Sequence, residues 1–328
     1  MNRVVRIGTR ESELAIWQAT QVKQLLHHSG GYQSKLVFIK SEGDIDLKTP
    51  LYEMGVQGIF TRSLDIALLN DRIDIAVHSL KDVPTQLPEG IVQSAVLKRG
   101  SYKDLLVYKV NGEWAMGNKE SLKFKALFTT HHSRFTAHDS RLIIATSSIR
   151  RKAQWLNRYP GHTIEILRGN VNTRLKKLEE SNWHGAIFAA AGLERIGLRP
   201  ENSIELDWML PAPAQGAIGV VCQKEDLFII EACHYFNDAG TALCTRIERD
   251  FLRTLLGGCS TPISALAEIK NGNIFFRGNI FSTDGKEKAE IEKTVEITNA
   301  EGFGKKAAEE LLLNGGKKIA DSIRDEGK

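Results

Sequence analysis

Short apolar runs that pass through a polar turn into segments with helical spacing recur along the first two thirds of this chain. That alternation restricts the fold more than any other feature. Residues 4–7 turn through Gly8 and Thr9 into a helix whose Ala15, Ala19, Val22 and Leu26 make one buried stripe. Apolar runs at 36–39, 73–77, 142–145, 163–167 and 186–189 read as further strands, most of them followed by a helical segment. Strands separated by helices call for α/β architecture with a mostly parallel sheet. In open sheets of that kind, ligands bind beyond the carboxyl ends of the strands.

The turns at those ends are rich in cations. Arg10 and Ser12 fall at the first strand-to-helix junction, where free backbone N–H groups favour anions. Lys81 and Asp82 stand side by side after the strand at 73–77, and fit either a ligand site or a solvated ion pair. Thr146, Ser147 and Ser148 open a helix with Arg150 and Arg151 close behind, a pattern suited to cradling an anion. Arg168, Gly169 and Asn170 lead to Arg174 in the same way, and the strand at 186–189 leads to Arg195. Arginine offers a flat two-pronged fork for carboxylate or phosphate. Six arginines at such junctions (Arg10, Arg150, Arg151, Arg168, Arg174 and Arg195) point to a polyanion of small-molecule size.

The remaining stretches are less regular. From about 99 to 141 the chain turns polar and irregular, with Asn111-Gly112 as a hairpin turn. His131, His132, His138 and Asp139 match no standard ligand spacing, so no metal is expected and a solvated loop is the reading. A stiff proline-rich segment, 210–216, contains Gln215 and reads as a crossing between domains. A helix over about 241–256, with Ile247, Phe251 and Leu255 on one side, stops at Gly257-Gly258. Cys259 follows at once, either as a structural surface cysteine or as a thiol held out for chemistry. Alternating runs at 274–276 and 289–297, the turn Asn271-Gly272, and a last helix broken at Gly315-Gly316 suggest a small α+β domain.

Composition narrows the function classes. A length of 328 residues suggests two or three domains. The net charge of +4 is a weak case for nucleic acid, and no stacking aromatics are interleaved with Arg150, Arg168 and Arg195. Four cysteines without a CxxC pair do not make a disulfide framework, so a reducing cytoplasm is the expected location. The N-terminus enters a strand without a signal-peptide core, and no apolar run of ~18 residues exists, so no membrane segment is expected.

In order and spacing, the stretches 6–12, 78–85, 146–151, 168–174, 190–197, 211–216 and 257–262 together resemble the hydroxymethylbilane synthase (porphobilinogen deaminase) family. The resemblance runs over nearly the full length. It implies an α/β fold of two periplasmic-binding-protein-like (type II) α/β domains with a cleft between them, plus a small C-terminal α+β domain. The implied boundaries are 1–98 with about 212–234, then 99–211 with a polar insert at about 110–141, then 235–328. It also implies an activity: deaminative head-to-tail condensation of four porphobilinogen molecules on a covalent dipyrromethane, then hydrolytic release of linear hydroxymethylbilane for tetrapyrrole and haem biosynthesis. Carried over by motif, Cys259 would hold the dipyrromethane through a thioether and Asp82 would be the catalytic carboxylate. Lys81, Thr146, Ser147, Ser148, Arg150, Arg151, Gly169 and Gln215 would contact that cofactor. Arg10, Ser12, Arg168, Asn170, Arg174 and Arg195 would contact substrate. The implied partners are porphobilinogen and the growing oligopyrrole, with no nucleic acid or membrane, and the implied state is a cytoplasmic monomer.

Some positions depart from the family pattern. Gln57 stands where a loop lysine is common, and Arg62 replaces another lysine. Arg99-Gly100-Ser101-Tyr102-Lys103-Asp104 replaces an acidic-proline-arginine-aspartate run. A non-catalytic solute-binding protein for a small anion, built on the same fold, is the alternative. The third domain and its Gly-Gly-Cys loop argue against it.

Overall fold

The structure is a computed structural model that describes residues 3–40, 61–109, 141–255 and 261–326. In chain order, the first lobe contains β1 (Val5–Thr9), α1 (Glu13–Gly30), β2 (Ser34–Phe38), α2 (Arg62–Leu69), β3 (Ile75–Ser79) and β4 (Ile91–Val96). The second lobe holds β5 (Asp104–Tyr108), β6 (Ile143–Ala145), α3 (Ile149–Arg158), β7 (Thr163–Glu165), α4 (Val171–Glu180), β8 (Gly185–Ala189), α5 (Ala190–Glu194) and β9 (Ser203–Glu205). Strand β10 (Ile218–Gln223) and helix α6 (Leu227–His234) return to the first lobe. Then come α7 (Ala239–Leu255), β11 (Ile263–Lys270), β12 (Asn273–Phe281), β13 (Lys288–Glu296), α8 (Phe303–Leu311) and α9 (Lys317–Glu326).

The two five-stranded sheets share one design. Their orders are β2-β1-β3-β10-β4 and β7-β6-β8-β5-β9. In each, one antiparallel strand lies between otherwise parallel neighbours: β10 in the first, β5 in the second. The mostly parallel expectation therefore holds with one exception per sheet. Period-two burial explains how the faces are filled. Ile75 and Val77 join Ala19, Val22 and Leu26 of α1 on one face, while Ala76 joins Leu64 and Leu68 of α2 on the other. In β5, Leu106 and Tyr108 pack with Trp155, whereas Leu105 and Val107 pack with Leu178 and Phe188. Burial on both faces removes the apolar–polar alternation, and for this reason β5 was hidden inside a stretch that reads as irregular from 99 to 141. Asn111-Gly112 and the His131, His132, His138, Asp139 group lie outside the described residues.

The chain passes between lobes twice, at 97–103 and 206–217, and the two passages run alongside each other. Leu97 N–H donates to the Ile218 carbonyl at 3.0 Å, and Gly100 N–H to the Gly216 carbonyl at 3.0 Å. Gly216 has φ +86°, and a Cβ there would lie 2.6 Å from the Ser101 carbonyl oxygen, so only glycine permits this approach.

The C-terminal part is an antiparallel β11-β12-β13 meander covered by α7, α8 and α9. Its first hairpin turns at Asn271 (φ 51°) and Gly272 (φ 75°), as the Asn-Gly signal predicts. Glu248 of α7 joins this part to the passages. Its carboxylate, fully buried, accepts from Arg99 Nη1 (2.6 Å) and Nη2 (3.1 Å), from Ala214 N–H (2.7 Å) and from Ala267 N–H (2.8 Å). Among the described residues no helix is long and apolar enough to cross a membrane.

Removing one partner of a buried ion pair leaves the other charge stranded. Glu248→Gln should therefore lower unfolding stability by about 3 kcal/mol, read from urea denaturation midpoints. An unchanged midpoint would mean that the passages do not depend on this carboxylate.

Candidate active site

Parallel strands β1 and β3 of the first lobe and β6 and β8 of the second deliver turns to a shared region. Ser12 caps α1, its Oγ accepting from Ala15 N–H at 3.4 Å, and Arg10 stands half-buried just before it. After β3 the chain makes a single 3-10 turn over Leu80–Asp82. Leu80 is fully buried and anchors that turn, while Lys81 and Asp82 remain half-buried at its edge.

On the second lobe the three hydroxyls build the turn ahead of α3. Ser148 Oγ accepts from Arg151 N–H (3.4 Å), Ser147 Oγ donates to the Leu167 carbonyl (2.6 Å), and Thr146 Oγ1 accepts from Ser148 N–H (3.2 Å). Their first task is thus to present Arg150 and Arg151. Gly169 takes φ +115°, where a Cβ would meet the Thr173 side chain at 2.7 Å. Asn170 then caps α4 through Thr173 N–H at 2.9 Å, and Arg174 Nε donates to the Gly169 carbonyl at 2.7 Å. Asn172 Nδ2 reaches Glu13 Oε2 at 2.8 Å, joining the starts of α4 and α1 across the lobes.

Charge is unevenly distributed here. Burial, with Arg151 and Arg150 acting in the same direction against Asp82 and Asp104, lowers the Lys81 ammonium pKa to about 8. Burial and the fields of Arg151, Arg168 and Arg10 lower Arg174 to about 10, against Asp82. These mutual fields bring Arg10, Lys81 and Asp82 of one lobe together with Arg150, Arg151, Arg168 and Arg174 of the other. Among the described residues, six cations thus act on one another here, with the carboxylates of Asp82 and Asp104 opposing them. Such an excess of partly desolvated cations suits a ligand carrying several carboxylates.

Asp104, the first residue of β5, is fully buried. Its carboxylate accepts from Arg150 Nη2 (2.8 Å), Arg151 Nε (3.1 Å) and Nη2 (2.7 Å), and Gln215 Nε2 (2.9 Å). Arg150 and Arg151 also donate to the carbonyls of Leu210 (2.7 Å) and Ile187 (2.9 Å). Gln215 Oε1 accepts from Lys81 Nζ at 3.4 Å. Both arginines are therefore tied to protein groups as well as close to the cleft, so their removal would disturb the fold itself.

Not every expected residue joins this group. Arg195 donates through Nη2 to the Gly216 carbonyl (2.6 Å) and lies 5.7 Å over the Trp17 ring, at the passage between lobes. Burial lowers its pKa to about 10. Cys259 and Gln57 lie outside the described residues, with α7 ending at Leu255 and description resuming at Thr261. His78, which the sequence reading left without a role, is buried at the end of β3. Burial first, and Arg10 second, push its pKa down to about 4, so it is neutral at pH 7. Its Nε2 has no hydrogen-bond partner among the described residues. Asp104 was also missed as a site residue, although it ends the run at 99–104 that departs from the family pattern.

The fold and charge layout define a two-lobed α/β protein with cations from both lobes gathered at the ends of its parallel strands. Comparison with known proteins agrees. The family model described as porphobilinogen deaminase, dipyromethane cofactor binding domain, matches residues 5–231, and the model for the porphobilinogen deaminase C-terminal domain matches 242–313. The porphobilinogen deaminase of Pelobacter propionicus is 36% identical over 324 residues, covering 98% of this chain and 97% of that one. That of Chlorobium phaeobacteroides is 38% identical over 332 residues, covering 99% of each. This chain belongs to the porphobilinogen deaminase family. Among solved structures, the Bordetella pertussis BvgS VFT2 domain overlays with a TM-score of 0.40 at 11% identity, covering 71% of this chain and 85% of that one, too distant to carry any conclusion about function.

Burial alone would raise the Asp104 carboxyl, but Arg150 and Arg151 outweigh it and hold it at about 2. A depressed carboxylate contributes stability above its unfolded pKa of about 3.9, lost as pH falls toward the folded value. Asp104→Asn should lower stability at neutral pH and flatten the pH dependence between about 4 and 2. Equal acid slopes for variant and wild type in chemical denaturation would show that Asp104 is not held in this way.

Proposed function

We propose that this chain is a transferase that condenses porphobilinogen head to tail, with loss of ammonia, and releases hydroxymethylbilane for tetrapyrrole biosynthesis. The observation that carries this is the family membership over nearly the whole chain, together with the cation excess around Asp82. Each porphobilinogen brings an acetate and a propionate, so a growing chain accumulates carboxylates that must be neutralised. Buried arginines do this better than exposed ones, because water does not screen them.

Lys81, Thr146, Ser147, Ser148, Arg150, Arg151, Gly169 and Gln215 would line the dipyrromethane, with Cys259 as its attachment. The depressed pKa values of Lys81 and Arg174 support the fit, since bound carboxylates would offset the burial and like charges that lower them. When bound, dipyrromethane supplies the nucleophilic pyrrole carbon to which the first unit adds. Arg10, Ser12, Arg168, Asn170 and Arg174 would hold the substrate carboxylates, and Arg195 would act nearer the passage between lobes. Asp82 stabilises the positive charge that develops on the pyrrole methylene as ammonia departs, and it can take or return a proton at the pyrrole nitrogen. Neutral His78, beneath the turn that carries Asp82, adds no charge to oppose that role.

The three-part organisation 1–98 with 212–234, 99–211, and 235–328 forms part of this proposal, as do a cytoplasmic location and a monomeric state. The non-catalytic solute-binding alternative is not favoured, because the chain also matches the family's C-terminal domain.

Two outcomes test the proposal. Intact-mass spectra of purified protein should carry the added mass of two linked pyrroles on wild type and none on Cys259→Ser. Absence of the adduct on wild type, even after incubation with porphobilinogen, would exclude the cofactor attachment. Asp82→Asn should retain the adduct while turnover drops by about 10³-fold, as loss of a preorganised stabilising charge can cause. Near-normal turnover there would remove Asp82 from the catalytic role.

A further inference from the structure

Helix α7 carries a second tie, next to Glu248. Arg249 Nη1 donates to the carbonyls of Leu80 (3.2 Å) and Val83 (2.8 Å), and its Nη2 to the carbonyl of Pro84 (2.6 Å). Those three carbonyls bracket Asp82 in sequence. Buried Leu80 and Val83 anchor the turn, Leu80 N–H donates to the Ala217 carbonyl at 3.0 Å, and Val83 N–H closes the turn on Leu80 at 3.2 Å. A lone 3-10 turn has poor hydrogen-bond geometry and weak intrinsic stability. A guanidinium that gathers three carbonyls of such a turn acts as a cap on it, with the planar fork fixing direction as well as distance.

We propose that Arg249 is the positioning residue for Asp82, a role resting on the assignment of Asp82 as the catalytic carboxylate. It acts through the backbone at 80–84 and contacts no reacting atom. The helix that bears it continues for six residues to Leu255, a rise of about 9 Å. Beyond that end the chain leads to Cys259. One rigid rod therefore grips the turn that carries Asp82 along its described length. A cavity of about 530 Å³ lined by Thr85, Leu87, Arg246, Arg249 and Arg253 adjoins the contact, large enough to admit a free guanidinium ion when the side chain is removed.

The test uses cofactor-loaded full-length protein, comparing wild type with Arg249→Ala and Arg249→Lys. Intact mass should show the same pyrrole adduct on all three. In Arg249→Ala, kcat for porphobilinogen consumption should fall about 10²-fold, the scale expected for a displaced catalytic group, with KM unchanged. Amide hydrogen exchange should rise in peptides covering 80–84 and stay constant in the sheets. Added guanidinium chloride at sub-denaturing concentration should recover much of the lost kcat, and sodium chloride should not. Arg249→Lys keeps the charge but not the fork, and should fall between wild type and alanine. Normal kcat in Arg249→Ala, or unchanged exchange at 80–84, would overturn the role. A raised KM with normal kcat would also overturn it, by making Arg249 a substrate ligand. Should Arg249→Ala fail to fold, Arg249→Lys decides by the same kinetic and exchange measurements. Full turnover in Asp82→Asn would instead sink the assignment of Asp82, while the exchange at 80–84 would still report whether Arg249 holds the turn.

Discussion

A cluster of arginines facing one another across two lobes repels itself, and burial makes the repulsion worse because water is excluded. The carboxylate of Asp104 is what makes the arrangement tolerable. It neutralises part of the charge of Arg150 and Arg151 and accepts from Gln215, whose other amide atom reaches Lys81. Asp104 begins β5, so the counter-charge is built into the strand that enters the second lobe. Lys81 and Arg174, also lowered by burial, stand in the fields of the same arginines. That concentration of positive charge is the basis on which a polycarboxylate ligand is proposed for the cleft.

The C-terminal part contributes by bracing as well as by carrying a cysteine. Glu248 and Arg249 are neighbours on α7, yet they serve opposite kinds of partner. Glu248 collects a guanidinium and two backbone N–H groups from the passages and from β11. Arg249 collects carbonyls from the turn of Asp82. Consecutive helical residues diverge by about a hundred degrees, which lets one helix hold two different segments of the first lobe and its passages.

Much of this was legible in the sequence. The strand–turn–helix rhythm, the arginines at its junctions and the Asn271-Gly272 hairpin are local patterns with local causes, and they appear in the structure where the spacing put them. Strand β5 was not legible, because five residues buried on both faces between polar stretches have no period to detect. The roles of Asp104, Glu248 and Arg249 were not legible either. Each is one charged residue among many, and its meaning comes from a partner dozens of residues away. Local pattern also overstated how freely Arg150, Arg151, Ser147 and Ser148 point at a ligand, since a hydroxyl that caps a helix and one that waits for an anion look alike in a sequence.

The two antiparallel strands have a consequence for the order in which the molecule can be made. The second sheet is drawn from one continuous span, β5 to β9, so all its strands exist once residue 205 has been synthesised. The first sheet cannot be completed so early. The place between β3 and β4 stays vacant until β10 is made, well over a hundred residues after β4. On a ribosome adding about 5–20 residues per second, the lobe that begins first is thus the one left open longest, with strand edges exposed beside a finished neighbour.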